Sequence, residues 1–545
     1  MLGDRNTFDF VVIGSGFGGC VSALRLAEKG YSVAVLEAGR RYHDRDFPKS
    51  NWNVFRSYWF PFLRCFGMLR LNFLSDVMIL SWAGVGGGSL GYAGTLLEPP
   101  SAFFNNPQWS EMKDWKAALA PHYRTARRML GISRIKDLSP ADEIMRTVAE
   151  NLNCRDTFRL QDVGVFFGEP EKTVPDPYFG GRGPERCGCR HCGGCMVGCR
   201  HNAKNTLVKN YLYLAERRGV SVFPETEATL IRTGADGGYL VDTVRSTSML
   251  KRRLRTFKAA RLVLAAGVLG TLSLLLRCRA EGTLARLSPM LGCCVRTNSE
   301  SLTGATAKDK SVDYSTGVAI TSSIYPDAVT HIEPVRFPAG SDLLGFLVAT
   351  RFTEYAPALL RPLKWIAGIL RHPLASIRAL WPFGWARRTI ILLIMQTVDN
   401  SVRVYRRRRW WWPFYPALVS RREHGREKVP ACIPQAQTAT KVLAETIDGI
   451  PQNAINEVLL NVGTTAHILG GCVIGPNPQK GVLDCRNQAF GYEGLYVVDG
   501  SMLPANLGVN PSLTIAAMAE HAMSHIPPKD SPGSDALANV NRENG

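Results

Sequence analysis

The segment FDFVVIGSGFGGCVSALRLAEKGYSVAVLEAGRR, residues 8–41, constrains the fold more than any other part of the chain. Residues 8–13 form a short apolar run of the kind buried on both faces in a parallel sheet. Gly14, Gly16 and Gly19 follow as G-x-G-x-x-G. From Val21 to Glu28 the apolar residues recur at helical spacing, Gly30 ends the helix, and YSVAVLE is a second strand closing on Glu37. Gly14 permits a tight turn, Gly16 lets the backbone approach a pyrophosphate, and Gly19 lets helix and strand pack closely, with the helix N-terminus stabilising phosphate charge. Glu37, 18 residues after Gly19, is placed to bind a ribose, and a carboxylate there disfavours a 2′-phosphate. This predicts an α/β fold with a doubly wound parallel sheet. The motif does not separate FAD from NAD, but no second such unit follows, as a flavin-to-nicotinamide relay would need.

Two further stretches carry the same logic. SWAGVGGGSLGYAGTLLEPP, residues 81–100, concentrates Gly86, Gly87, Gly88, Ser89 and Gly91, which suits a backbone lying flat against a ligand; a flexible surface loop is the plainer alternative. LYVVDGSMLPANLGVNPSLTIAAMAEHAMSHI, residues 495–526, reads as strand, loop and helix. Asn510 is its expected N-cap and Pro511 its first helical residue, aiming a partial positive charge at the loop.

CGCRHCGGCMVGC, residues 187–199, places Cys189, Cys192, Cys195 and Cys199 in the spacing C-x2-C-x2-C-x3-C, which holds iron–sulfur clusters in ferredoxins. Three readings stand: a [4Fe–4S] cluster, a metal-free loop with thiols or disulfides, and zinc. Zinc fits least, because its structural sites usually join two separated pairs. Arg200 also replaces the proline common after the last ferredoxin cysteine. A cluster here would be an electron exit.

With a net charge of +19 over 545 residues, the chain favours anionic surfaces, substrates or cofactors. Residues 357–396 mix Leu, Ile and Trp with Arg and Lys, and RRRRWWWPFYP, residues 406–416, adds four arginines beside three tryptophans. Basic amphipathic helices of this kind predict peripheral membrane contact; core or lid helices are the alternative. No nucleic-acid module is present, so no nucleic-acid partner is expected. The N-terminal apolar run passes directly into the glycines, which predicts no export signal and a cytoplasmic protein peripheral to the membrane. The polar tail, 527–545, is expected to be disordered. Oligomeric state is not legible.

Taken in order, the opening glycine motif, AGVGGGSLGYAG, AAGVLGT, AHILGGCVIG and LYVVDGSMLPANLGVNPS resemble the glucose–methanol–choline (GMC) flavoenzyme family, most closely its bacterial cholesterol oxidase-like branch. The resemblance spans residues 8–526. It implies an FAD domain, 8–130, 200–305 and 455–526, interleaved with an α+β substrate domain containing a mixed sheet, 131–199 and 306–454. It implies FAD, with Asp499 near its pyrophosphate and ribityl chain. It implies His467 and Asn510 as catalytic residues at the flavin edge and Glu333 as a base. Close relatives often carry Asn at position 91, so Gly91 implies that one flavin contact is missing or replaced. The implied activity is oxidation of a sterol 3β-hydroxyl, with 5-ene to 4-ene isomerisation. A dehydrogenase of another large lipophilic alcohol, a fatty alcohol or terpenoid using a non-oxygen acceptor, is the alternative. A flavin-bound redox sensor without turnover is a third reading.

Overall fold

The computed structural model describes residues 6–531 except 249–252, 349, 355, 358–359, 372, 374–375, 377–380, 382 and 410–411. The tail expected to be disordered lies, from residue 532, outside the described residues.

The strand Thr7–Ile13 is central in the larger of the two main sheets and pairs in parallel with Val33–Leu36 on one side and Arg253–Leu264 on the other. Ser221–Phe223 extends the sheet beyond Val33–Leu36, again in parallel. The long strand Arg253–Leu264 uses one edge twice. Its first part takes the antiparallel strand Tyr239–Arg245, which pairs in turn with Thr226–Thr233. Its last residues, Leu262 to Leu264, take Leu495–Val497 in parallel. The parallel core is thus the expected one, with an antiparallel ribbon added. The helix Phe17–Glu28 packs against Ser512–Ser524, and that helix against Trp115–Met129, so segments from both ends of the chain share one layer.

The second sheet runs in the order Thr330–Val335, Thr389–Gln396, Ser301–Ala307, Gly449–Asn453, Thr350–Arg351. All of its strand pairs are antiparallel. The mixed sheet expected of the substrate domain is therefore wholly antiparallel, and it is the dinucleotide sheet, expected to be parallel, that is mixed. Thr389–Gln396, TIILLIMQ, is buried along its whole length. Alternation by two sorts its side chains: Ile390, Leu392 and Ile394 pack with Ile433, Ala436 and Leu443 at the helix Pro434–Thr446, while Ile391 and Leu393 face a cavity. At roughly 1.5–3 kcal/mol per buried aliphatic side chain, this strand is core and not a membrane-surface helix.

That corrects part of the reading of residues 357–396. Leu360–Arg371 is an amphipathic helix, but the stretch ends in the central strand. Residues 406–416 fall in the hairpin of Val402–Arg409 and Trp412–Arg422, with residues 410–411 outside the described residues. Among the described residues no helix is long and apolar enough to cross a membrane.

Candidate active site

The two main sheets meet at a cavity of about 490 Å³, within the usual range for small-molecule sites. Its nucleotide end is built by the turn after Thr7–Ile13. Gly14, Gly16, Glu37, Gly87, Gly88, Gly91, Asp499 and Pro511 line it. A Cβ on Gly16 would stand in ordinary contact with the Ala265 carbonyl oxygen, at 3.9 Å, so on this lining position of the cavity no protein atom crowds the backbone a pyrophosphate would approach. Glu37 accepts from Ser15 Oγ at 2.6 Å and from the Gly39 N–H at 2.7 Å, and Ser15 Oγ accepts from the Gly86 N–H at 3.1 Å. The carboxylate thereby ties both glycine loops together. Gly19, Gly86 and Ser89 do not line the cavity. Gly19 packs against Gly14, while Ser89 Oγ donates to the Gly86 carbonyl at 2.7 Å and accepts the Leu207 N–H at 3.0 Å, fixing the loop from behind. Asp499 accepts from Thr271 Oγ1 at 2.6 Å and from Ser501; burial nonetheless raises its pKa.

Four cavity-lining side chains carry buried polar atoms without a hydrogen-bond partner: Arg70 Nε, Trp82 Nε1, Thr95 Oγ1 and Asn510 Oδ1. Buried orphans of this kind call for a ligand. An extended polar cofactor such as FAD fits both them and the open glycine cradle. Position 91 explains itself here. A Cβ on Gly91 would lie 1.8 Å from Trp82 Nε1, so the indole occupies the place of a side chain at 91 and offers its own N–H to the cavity. Trp82 carried no sequence signal.

At the other end stand His467 and Asn510. His467 follows the strand Gly463–Thr465, and its Nδ1 is bonded to Glu300 Oε1. Glu300 immediately precedes the strand Ser301–Ala307 and also accepts the Ala466 N–H at 2.8 Å. Sequence reasoning missed Glu300, which belongs to no motif and lies 167 positions away. Burial opposes a charge on His467, but the Glu300 carboxylate and its hydrogen bond outweigh it, so the pKa is raised overall. Asn510 is not the N-cap. The helix opens at Ser512 with Pro511 as the cap residue, one position later than expected, which leaves the Asn510 side chain free to turn inward.

Asn510 Nδ2 donates to Glu333 Oε2 at 3.3 Å. Glu333 is fully buried and does not line the cavity; it stands one hydrogen bond behind Asn510. Burial pushes its carboxyl up to about 8, against the opposing pull of Asn510 and His467. His331, on the same strand face, stacks on Tyr325 with centroids 4.5 Å apart, and burial holds its pKa down near 3, so it stays neutral.

All fourteen cysteines are free thiols. This removes the disulfide reading of the cysteine loop. Cys189, Cys192, Cys195 and Cys199 line a second cavity, of about 310 Å³. Among the described residues no group of His, Cys, Asp or Glu is gathered closely enough to hold a metal ion, so neither the zinc nor the iron–sulfur reading finds support in the structure. Burial pushes the Cys189 thiol up to about 12 and Cys195 to about 11, unlike activated nucleophiles.

Residues 9–43 match the FAD binding domain family and residues 417–519 match the GMC oxidoreductase family. A cholesterol oxidase of Mycobacterium tuberculosis (strain ATCC 25618 / H37Rv) is 49% identical over 533 residues, covering 96% of this chain and 91% of that protein. A cholesterol oxidase of Acinetobacter baumannii is 45% identical, covering 98% and 97%. Among solved structures, pyridoxine 4-oxidase from Mesorbium loti shares the fold at a TM-score of 0.60 and 15% identity, covering 95% of this chain and 98% of that one. The nucleotide cradle, the His467–Asn510 edge and these relatives agree, and the chain belongs to the GMC family of FAD-dependent oxidoreductases, beside the bacterial cholesterol oxidases.

Proposed function

We propose that the chain oxidises the 3β-hydroxyl of a sterol or steroid at the far end of this cavity. The observation that carries the reading is the pairing of a polar edge, His467 and Asn510, with an apolar wall of Leu302, Val335, Phe337, Leu344, Ile391 and Leu393 from the second sheet and its flank. Such a wall suits a large, nearly featureless hydrocarbon with one hydroxyl to be fixed. Bound FAD supplies the hydride-accepting centre. With Nδ1 committed to Glu300, His467 has Nε2 left to take the hydroxyl proton. Asn510 Oδ1, which has no partner of its own, is the second group able to hold the hydroxyl. The N-terminus of Ser512–Ser524 stabilises negative charge arising beside it.

Isomerisation belongs to the same proposal. Its base would be Glu333, which reaches the cavity only when the Asn510 amide swings aside. The test is anaerobic mixing of the yellow protein with a panel of alcohols. A 3β-hydroxysterol is expected to bleach the flavin with a kcat/KM higher by about tenfold or more than that of a long-chain primary alcohol. The reverse order would favour the fatty-alcohol reading.

The proposed holoenzyme carries FAD in this cavity; an iron–sulfur cluster at the cysteine loop is a second and separable part of the proposal, supported by the C-x2-C-x2-C-x3-C spacing alone. The protein is further proposed to act, in the cytoplasm, from a membrane surface. Phe62 and Leu370 are 74% and 75% exposed, and Phe55, Leu63, Leu363 and Phe383 are exposed as well. Trp52 stacks on Phe383 at 6.3 Å and meets Phe346 edge-on, and Asn51 bonds the Ser341 carbonyl, bringing the 51–63 segment against the stretch that holds Leu344 of the cavity wall. Exposed Arg56, Arg64 and Lys364 lie among these apolar residues in sequence, which suits an anionic headgroup layer. Vesicles containing anionic lipid are expected to float the protein at low salt. The double change Phe62→Ser, Leu370→Ser is expected to abolish flotation without affecting folding, since both side chains are already in solvent. Absence of flotation by the unchanged protein would end the membrane reading.

A further inference from the structure

We infer that His331 arms Glu333 for the isomerisation, taking the proton of its carboxyl so that the carboxylate can act as the base. This deepens the isomerisation reading and rests on it. His331 acts on substrate only through Glu333.

The strand Thr330–Val335 sets the geometry. Alternation by two puts His331, Glu333 and Val335 on one face; Val335 reaches the substrate cavity, while Ile332 on the other face packs into the core. His331 itself does not line the cavity. It is 1% exposed, and neither ring nitrogen has a hydrogen-bond partner. Glu333 is half satisfied. Its Oε2 accepts from Asn510, on the cavity side, while Oε1 is buried without a partner. His331 Nε2 stands 3.9 Å from that Oε1. The gap is too long for a hydrogen bond, and a small turn of the carboxyl would close it. Buried polar atoms left unpaired are rare and costly, and here two of them, Nε2 and Oε1, stand side by side.

The reaction needs such a pair. Burial pushes the Glu333 carboxyl up to about 8, so at neutral pH the resting enzyme holds an acid where isomerisation needs a base. The cavity side offers that acid no acceptor. Asn510 Nδ2 donates to it, and His467 Nε2 is the group that takes the hydroxyl proton in the oxidation. On the other side stands a ring that burial, helped by Arg159, keeps neutral and open to a proton.

The proton balance closes within the protein. The O–H bond breaks at Oε1 and an N–H bond forms at Nε2, leaving an imidazolium beside a carboxylate with no proton exchanged with solvent. The carboxylate takes the C4 proton of a 3-oxo-5-ene steroid: the C4–H bond breaks, an O–H bond forms, and the electron pair passes into a dienolate. That O–H bond then breaks as the C6–H bond forms, and the double bond comes into conjugation. When the product leaves, the proton on His331 returns to Glu333. The surroundings leave the pair to itself. Tyr325, half-buried, stacks on His331, and exposed Arg159 lies 4.7 Å over the Tyr325 ring. The other charged groups acting on Glu333 are His467 and Glu300, which pull its pKa in opposite directions.

The test follows flavin bleaching and the absorbance of the conjugated ketone together, with a 3β-hydroxy-5-ene steroid and with the 5-en-3-one supplied directly. In the unchanged holoenzyme isomerisation is expected to stay level from about pH 5 to about pH 8, because transfer inside the pair leaves its total of protons unchanged. His331→Phe keeps the stack on Tyr325 but takes no proton. Its isomerisation, relative to flavin reduction, is expected to fall about tenfold or more near neutral pH and to recover as pH rises through the carboxyl's raised value, where solvent removes the proton instead. His331→Gln, polar but no base, should behave like His331→Phe. An unchanged ratio in His331→Phe, or full rescue by His331→Gln, would overturn the inference, the second because a hydrogen bond alone would then suffice. Only 5-en-3-one from the unchanged enzyme would end the isomerisation reading and this role of His331 with it, while bleaching would still report the oxidation.

Discussion

Replacing His467 with Asn is expected to slow flavin reduction by alcohol about 10²–10⁴-fold, the span typical for loss of a positioned acid or base, while the purified protein stays yellow. The colour should persist because His467 lies at the alcohol end of the cavity, away from the glycine turns that cradle the nucleotide. Glu300→Gln separates the ring's chemistry from its mere presence. In the unchanged enzyme the Glu300 carboxylate raises the His467 pKa above its ordinary value. Below that pKa the ring is already protonated and cannot take the hydroxyl proton, so the rate should climb as pH rises through it. An amide at 300 removes the negative charge. The acidic limb should then move to lower pH, and the maximal rate should fall because the ring is held less firmly. Rapid-mixing reduction rates across pH read both effects. An acidic limb that stays in place would mean that His467 is not the titrating group, and an unchanged rate in His467→Asn would remove it from the reaction.

Gly91→Asn is expected to strip the protein of FAD. A Cβ at this position falls 1.8 Å from the Trp82 indole nitrogen, so the indole must be driven from a wall it helps to form. Overpacking of this kind costs about 1–3 kcal/mol, or about 5–150-fold in FAD affinity, with loss of the orphan N–H as a further penalty. Gly91→Asn combined with Trp82→Leu should recover much of the binding, because the vacated volume admits the new side chain and its amide can take over the donor role. Flavin-to-protein absorbance ratios after gel filtration, followed by titration of the apoprotein, measure both. Full flavin in Gly91→Asn alone would show that Trp82 is not a fixed wall.

The dinucleotide half was readable because its chemistry is local. Gly14, Gly16, Gly19 and Glu37 act within 24 residues, and glycine spacing records backbone conformation directly. Gly91 was legible as a departure, yet the indole that accounts for it was not, since Trp82 looks like any other strand aromatic until the turn folds back on it. Glu300 was invisible for a stronger reason. Its partner is far along the chain, and nothing in TNSESLTG distinguishes a catalytic neighbour from a surface acid. The stretch 357–396 misled because a strand buried on both faces and the apolar side of a helix look alike over eight residues; the β-branched content of TIILLIMQ was the available clue. The last helix was started one residue too early, with Asn510 as its cap where Pro511 stands, within the ordinary error of helix ends.

The double use of the strand Arg253–Leu264 dictates when the enzyme can come into being. Its last three residues wait for Leu495–Val497, and the wall beneath the nucleotide turn includes Asp499 and Pro511 from the same late segment. A ribosome adding about 5–20 residues per second leaves the first hundred residues holding an unfinished sheet for tens of seconds. Pairings so distant in sequence also form slowly once available. A nascent chain can therefore offer flavin no complete seat until translation is nearly over, and its exposed strand edges in that interval are the natural clients of a chaperone. A truncation ahead of residue 495 should yield an aggregating chain and not a smaller flavoprotein.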